Sequence, residues 1–130
     1  MPDLLPDDFG TETTLQPPVV ILREQAEHLS RRTGGLVLGT VEASRVGNTL
    51  WHHFRLLVPT LDDYVYDLFA VEHGVFLYPL NLHSGIVGVQ SRFNLENPEE
   101  FEDALRELFG QAEVKRVVAA LKAQATTVKA

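Results

Sequence analysis

Residues Leu36 to Val58 read LVLGTVEASRVGNTLWHHFRLLV, and the two alternations that meet at Gly47-Asn48 decide the fold. Val37, Gly39, Val41 and Ala43 alternate with Leu36, Leu38, Thr40 and Glu42, and a second period of two runs from Thr49 to Val58. A period of two is the side-chain repeat of a strand, so the stretch is a hairpin. A two-residue turn at Gly47-Asn48 sets its register, with Val41 opposite Phe54, Ala43 opposite His52, Glu42 opposite His53 and Thr40 opposite Arg55.

Downstream, Pro59 removes a ladder donor and Thr60-Leu61-Asp62-Asp63 forms a connection. Tyr64 to Glu72, rich in aromatic and β-branched residues, is a third strand. His73-Gly74 supplies a turn and Val75 to Leu82 a fourth strand, which would set Phe69 against Tyr78 and Val71 against Phe76. A short fifth strand spans Ile86 to Gln90, where Gly85 and Gly88 lower the propensity.

Helices flank this sheet. Val19, Leu22, Ala26 and Leu29 recur at helical spacing after Pro18, and Gly34-Gly35 stops the helix near Thr33. Asn97-Pro98-Glu99-Glu100 combines a side-chain cap, a first-turn proline and first-turn carboxylates. Phe101, Ala104, Leu105, Leu108 and Phe109 form the apolar stripe that follows, and Val114, Val117, Val118 and Leu121 define a third helix. The fold class is α+β: an N-terminal helix, an antiparallel four- to five-stranded meander sheet and two C-terminal helices. Residues 1–17, with three prolines and few spaced apolar side chains, read as a mobile acidic leader, and 18–130 as a single α+β domain.

The 130-residue chain is 45% hydrophobic and 22% charged, a globular composition of a size that suits one core. Eleven basic against eighteen acidic side chains leave a formal charge of −7, which disfavours nucleic acid and anionic membrane as partners. Without cysteine there is no disulfide framework, thiolate catalysis or thiolate metal site. The acidic start has no basic residues, and no stretch reaches about 18 apolar residues, which places the protein in the cytoplasm.

Catalytic signals are sparse. Neither GxxxxGK[ST] nor GxGxxG nor GxSxG occurs, and the five histidines form no HExxH or HxH pair. His52 and His53 are consecutive on a strand and diverge to opposite faces, so no histidine metal site and no cofactor are expected. His52 stands among Leu50, Phe54, Leu56 and Val58, where a hydrogen-bonded core histidine is the simpler reading and a ligand-binding group the sharper one. His73 reads as a turn residue, His28 as an exposed partner of Glu24, and His83 stays unexplained. Asp67, within an aromatic strand, is either a general base with a raised pKa or the cross-strand partner of Arg55. The pairing Phe54 with Leu68 makes it the partner of Arg55; a register one residue away sets His52 against Val71. The partner reading is favoured.

One sheet face can carry Val41, Phe54, Leu56, Tyr66, Leu68 and Leu77 against the helices. The other is expected to carry Trp51, Phe69, Val71, Phe76, Tyr78 and Leu80, an apolar area that a soluble monomer seldom leaves wet. A homodimer burying these six residues follows, in a non-enzymatic interaction protein of chaperone, immunity or adaptor type that binds a second protein as well. In size, acidity, lack of cysteine and helix–meander–helix order the chain resembles the small dimeric chaperones of bacterial secretion systems, whose strands are interrupted by a helix not found between Glu72 and Val75. The competing reading is a ligand-binding or enzymatic domain with a pocket between helix and sheet containing His52 or Tyr66.

Overall fold

A computed structural model describes residues 1–129. Helix α1 (Pro18–Arg32) precedes a five-stranded antiparallel sheet, β1 (Leu38–Val46), β2 (Thr49–Val58), β3 (Tyr64–His73), β4 (Leu80–Ser84) and β5 (Arg92–Leu95), in the order β1-β2-β3-β4-β5. Helices α2 (Pro98–Phe109) and α3 (Ala112–Lys129) follow. The α+β meander read from the sequence is the architecture observed. No helix among the described residues is long and apolar enough to cross a membrane.

Local chemistry explains the boundaries. Pro18 opens α1, and Gly34 and Gly35, both at positive φ, close it. The β1–β2 hairpin turns at Gly47-Asn48 in the register expected from its two alternations, Val41 opposite Phe54 and Glu42 opposite His53. The N–H of Glu100 donates to Asn97 Oδ1 at 2.8 Å, capping α2. Helix α3 continues through its alanine- and threonine-rich end, where Thr126 and Thr127 donate back to the carbonyls of Lys122 and Ala123 and Ala125 is fully buried.

One sheet face lies under the helices. Ile21, Leu22 and Ala26 of α1, Phe101, Ala104, Leu105 and Leu108 of α2, and Leu121 and Ala125 of α3 close over Phe54, Leu56, Val58, Val71, Leu80 and Leu82. Phe54 stacks on Phe69 at 4.9 Å between centroids, and both rings meet the edge of Phe109. At Gly39 the approach of α1 leaves no room for a side chain, since a Cβ there would fall 2.6 Å from Ala26 Cα. Full burial of side chains of this size stabilises by about 1.5–3 kcal/mol each against chain entropy of similar total magnitude.

The β2–β3 pairing uses both registers that the sequence allows. Arg55 pairs with Asp67 and Val58 with Tyr64 on one side of a β-bulge, while Phe54 pairs with Phe69 and His52 with Val71 on the other. Leu68 is the inserted residue; it is buried, and its carbonyl accepts the N–H of Gly85 at 2.9 Å, one step beyond the Phe69–Ser84 pair of β3 and β4. The inserted residue reverses the face of everything beyond it on β3. Phe69 and Val71 therefore lie under the helices instead of on the open side.

The fourth and fifth strands begin later than period and turn residues suggest. Val75 to Pro79 is a loop rather than strand, so β4 sets Val71 against Leu82 and Phe69 against Ser84, not Phe76 and Tyr78. Pro79 has no N–H for a ladder, and pairing starts at the next residue. Ile86 to Val89 is a turn, closed by the Val89 N–H on the Ile86 carbonyl at 3.2 Å with Gly88 at positive φ, and β5 forms at Arg92–Leu95 instead of Ile86–Gln90.

Candidate functional site

The outer sheet face begins with what alternation leaves there: Leu38, Thr40, Glu42 and Ser44 of β1, Trp51, His53, Arg55 and Leu57 of β2, Val65, Asp67, Ala70 and Glu72 of β3, and Asn81 and His83 of β4. All are half-exposed or exposed, whereas Phe54, Leu56 and Val58, which alternate with them on β2, are fully buried. This face has no cover among the described residues.

Its centre is the sole tryptophan. Trp51 stacks on His53 at 6.1 Å with planes 15° apart, and on its other side meets His83 at 5.1 Å. His83 in turn meets the edge of Phe93, which is 62% exposed, at 5.6 Å. Four rings thus form a continuous band across β2, β4 and β5. Polar contacts hold them: His53 Nε2 lies 3.1 Å from Ser44 Oγ, and Glu72 Oε1 lies 3.0 Å from His83 Nε2 and accepts Asn81 Nδ2 at 3.1 Å. These bonds hold the Glu72 carboxyl below its ordinary pKa, Asn81 contributing most. Beside the band, Arg55 bridges Glu42 of β1 and Asp67 of β3, the latter at 2.5 Å. Arg55 and Asp67 are cross-strand partners, as the favoured register requires.

The six residues expected to share an interface are divided. Trp51 lies on the open face. Phe69, Val71 and Leu80 are 3%, 0% and 1% exposed in the helix-covered core, the consequence of the bulge at Leu68. Tyr78 is also buried, donating its hydroxyl to the Gln16 carbonyl at 2.9 Å, and Phe76 is 78% exposed in the loop before β4. Sequence reasoning missed His83, Phe93 and Glu72 as companions of Trp51, because β4 was read two to five residues too early.

The pocket residues fare differently. His52 Nε2 lies 3.1 Å from His73 Nε2, and His73 Nδ1 lies 2.8 Å from the Gly74 carbonyl and 3.1 Å from that of Phe76. A nitrogen shared with carbonyls carries the proton, so His73 Nε2 is the acceptor and His52 Nε2 the donor. His52 Nδ1 is left buried without a partner. Burial, then the charges of His73, Arg23 and His53, push the His52 pKa down. His73 is thus a core residue rather than a turn residue. Tyr66 is half-buried and packs against the core. Neither His52 nor Tyr66 lines any of the three described cavities, which lie between helices or between α2 and the chain before β5. Among the described residues no group of three metal-ligating side chains converges.

Comparison with protein families, with curated proteins and with solved structures finds no match.

Proposed function

We propose that this chain is a non-enzymatic protein-interaction module of chaperone, immunity or adaptor type, acting as a homodimer in the cytoplasm and binding a second protein through the open sheet face. The carrying observation is the ring band Phe93–His83–Trp51–His53, half-exposed and flanked by the Arg55–Glu42–Asp67 cluster. Aromatic residues with an arginine nearby and a polar margin are the make-up of interaction hot spots, since large rings bury much area at little entropy cost. The mixture of apolar rings and ion pairs also suits a face that is wet when unbound. Shared surface of this kind calls for neither cofactor nor metal.

The test is affinity capture from native cells with wild-type and Trp51→Glu baits, followed by reconstitution from pure components. A protein held by the wild type and lost by the variant, whose binding changes the fluorescence of the sole tryptophan, supports the reading. Equal capture by both baits, or a small molecule as the only specific companion, would refute it.

A further inference from the structure

On the helix side, α1 and α3 diverge over the end of α2 and leave an apolar groove of about 500 Å³ floored by Leu29, Phe109 and Val118. Its ionisable lining is all basic: His28, Arg32 and Lys115. On a chain of charge −7 such a site stands apart, and neither Arg32 nor Lys115 has an ion pair among the described residues. The leader has the opposite character. Leu4, Leu5 and Phe9 are 84%, 60% and 69% exposed, and Asp3, Asp7, Asp8 and Glu12 are not balanced by any basic side chain in residues 1–17. Asp7–Gly10 is already wound into a single 3-10 turn, with the Phe9 N–H on the Pro6 carbonyl at 3.2 Å, so Phe9 is presented beside two carboxylates.

We infer that the leader of a second copy fills this groove, Phe9 entering between Leu29 and Val118 while Asp7 and Asp8 meet Arg32 and Lys115, and that the exchange is reciprocal. The apolar ring matches the floor, the acidic turn matches the rim, and two identical exchanges close a two-fold dimer. The preformed turn lowers the ordering cost of docking. Tyr78 anchors the leader at Gln16, so the seven residues from Phe9 to Gln16, about 23 Å when extended, form the arm that would be exchanged. Docking into the chain's own groove requires a reversal at Pro17-Pro18, where Pro17 is extended at φ −61° and ψ 144° and both rings restrict the turn. In the single chain Phe9 stays outside. This mode of assembly rests on the homodimer part of the proposed function and leaves the Trp51 face free for the second protein.

The cysteine-free chain makes the test clean. Thr11→Cys chains mixed with Ala119→Cys chains, which keep Phe9 and Val118, are expected under mild oxidation to yield a covalent dimer containing one of each. A doubly substituted chain that closes on itself as a covalent monomer, or one that forms no disulfide, overturns the exchange. By sedimentation, deletion of residues 1–15 and the pair Arg32→Glu/Lys115→Glu should each weaken dimerisation about tenfold or more with circular dichroism unchanged, and adding Asp7→Lys/Asp8→Lys should rescue the groove variant. A dimer that persists undiminished in the deletion variant rejects the exchange but keeps the homodimer. A wild-type monomer at micromolar concentration rejects both, and partner binding at Trp51 is read separately.

Discussion

His52 and His73 meet across β2 and β3 with their Nε2 atoms 3.1 Å apart and their rings stacked at 5.2 Å, on the face of the sheet that the helices cover. The contact needs one Nε2 without a proton, and the buried Nδ1 of His52 has no partner to stabilise a second proton on that ring. With the folded pKa of His52 depressed, the unfolded chain takes up the proton first as pH falls through the ordinary histidine value of 6.5. Stability is therefore full above that value and declines below it until the folded pKa is also passed. Urea unfolding followed between about pH 8 and pH 5 should show this decline, and His52→Phe should flatten it. A wild-type profile without slope in this range would exclude a depressed pKa at His52.

Gly39 is expected to tolerate no side chain. A Cβ there would lie 2.6 Å from Ala26 Cα and 2.8 Å from the Ala26 carbonyl oxygen, both backbone atoms of α1 that cannot swing aside. Gly39→Ala should cost about 1–3 kcal/mol in denaturant unfolding, and Ala26→Gly should not restore it, because the collision is with the main chain. Full restoration by Ala26→Gly would locate the conflict in the side chain instead.

At Gly85 the same measurement examines the bulge. A Cβ would lie 2.6 Å from the Asp67 carbonyl and 2.9 Å from that of Leu68, the oxygen that Gly85 itself satisfies. Gly85→Ala is expected to lose about 1–3 kcal/mol, and Leu68→Ala about 2–5 kcal/mol because the inserted side chain is 1% exposed. Amide exchange in the double variant should be fastest around residues 67–69 if the two changes strike one feature. Uniform acceleration through the sheet would argue against a local latch.

Tyr78 gives a signature at alkaline pH. Burial, then the carboxylates of Glu102 and Glu99, push its phenol up to about 12. The unfolded chain loses that proton near 10, so stability should fall from there until the folded pKa is reached. Tyr78→Phe should lose about 1 kcal/mol at neutral pH with its bond to the Gln16 carbonyl and show a shallower alkaline decline. An identical alkaline slope in both proteins would remove Tyr78 as the source.

Features written within a few residues were legible in the sequence. The Gly47-Asn48 hairpin and the Asn97 cap rest on residues whose chemistry suffices for the geometry, and the more distant Arg55–Asp67 pair was favoured because it neutralises both charges. Face assignment beyond Leu68 was not, because each of two registers satisfied the pattern of β3 and only tertiary contacts select a bulge that uses both. Gly85, remote in sequence from Leu68, provides that contact. For the same reason Trp51 could be placed on the outer face from β2 alone, while His83 and Phe93 required the true position of β4 and β5. The histidine contact depends likewise on His52 and His73 sharing a face, which follows from the register beyond the bulge.

The split register has a consequence for how the chain assembles. The pairs in step with the Pro59–Asp63 connection end at Arg55–Asp67, because Phe54 faces Phe69 and not Leu68. The half of β3 beyond the bulge pairs on its other edge with β4, and Gly85 donates to the Leu68 carbonyl. A chain that ends before Gly85 lacks the donor to the Leu68 carbonyl, and only the pairing with β2 then bears on which face Phe69 and Val71 take.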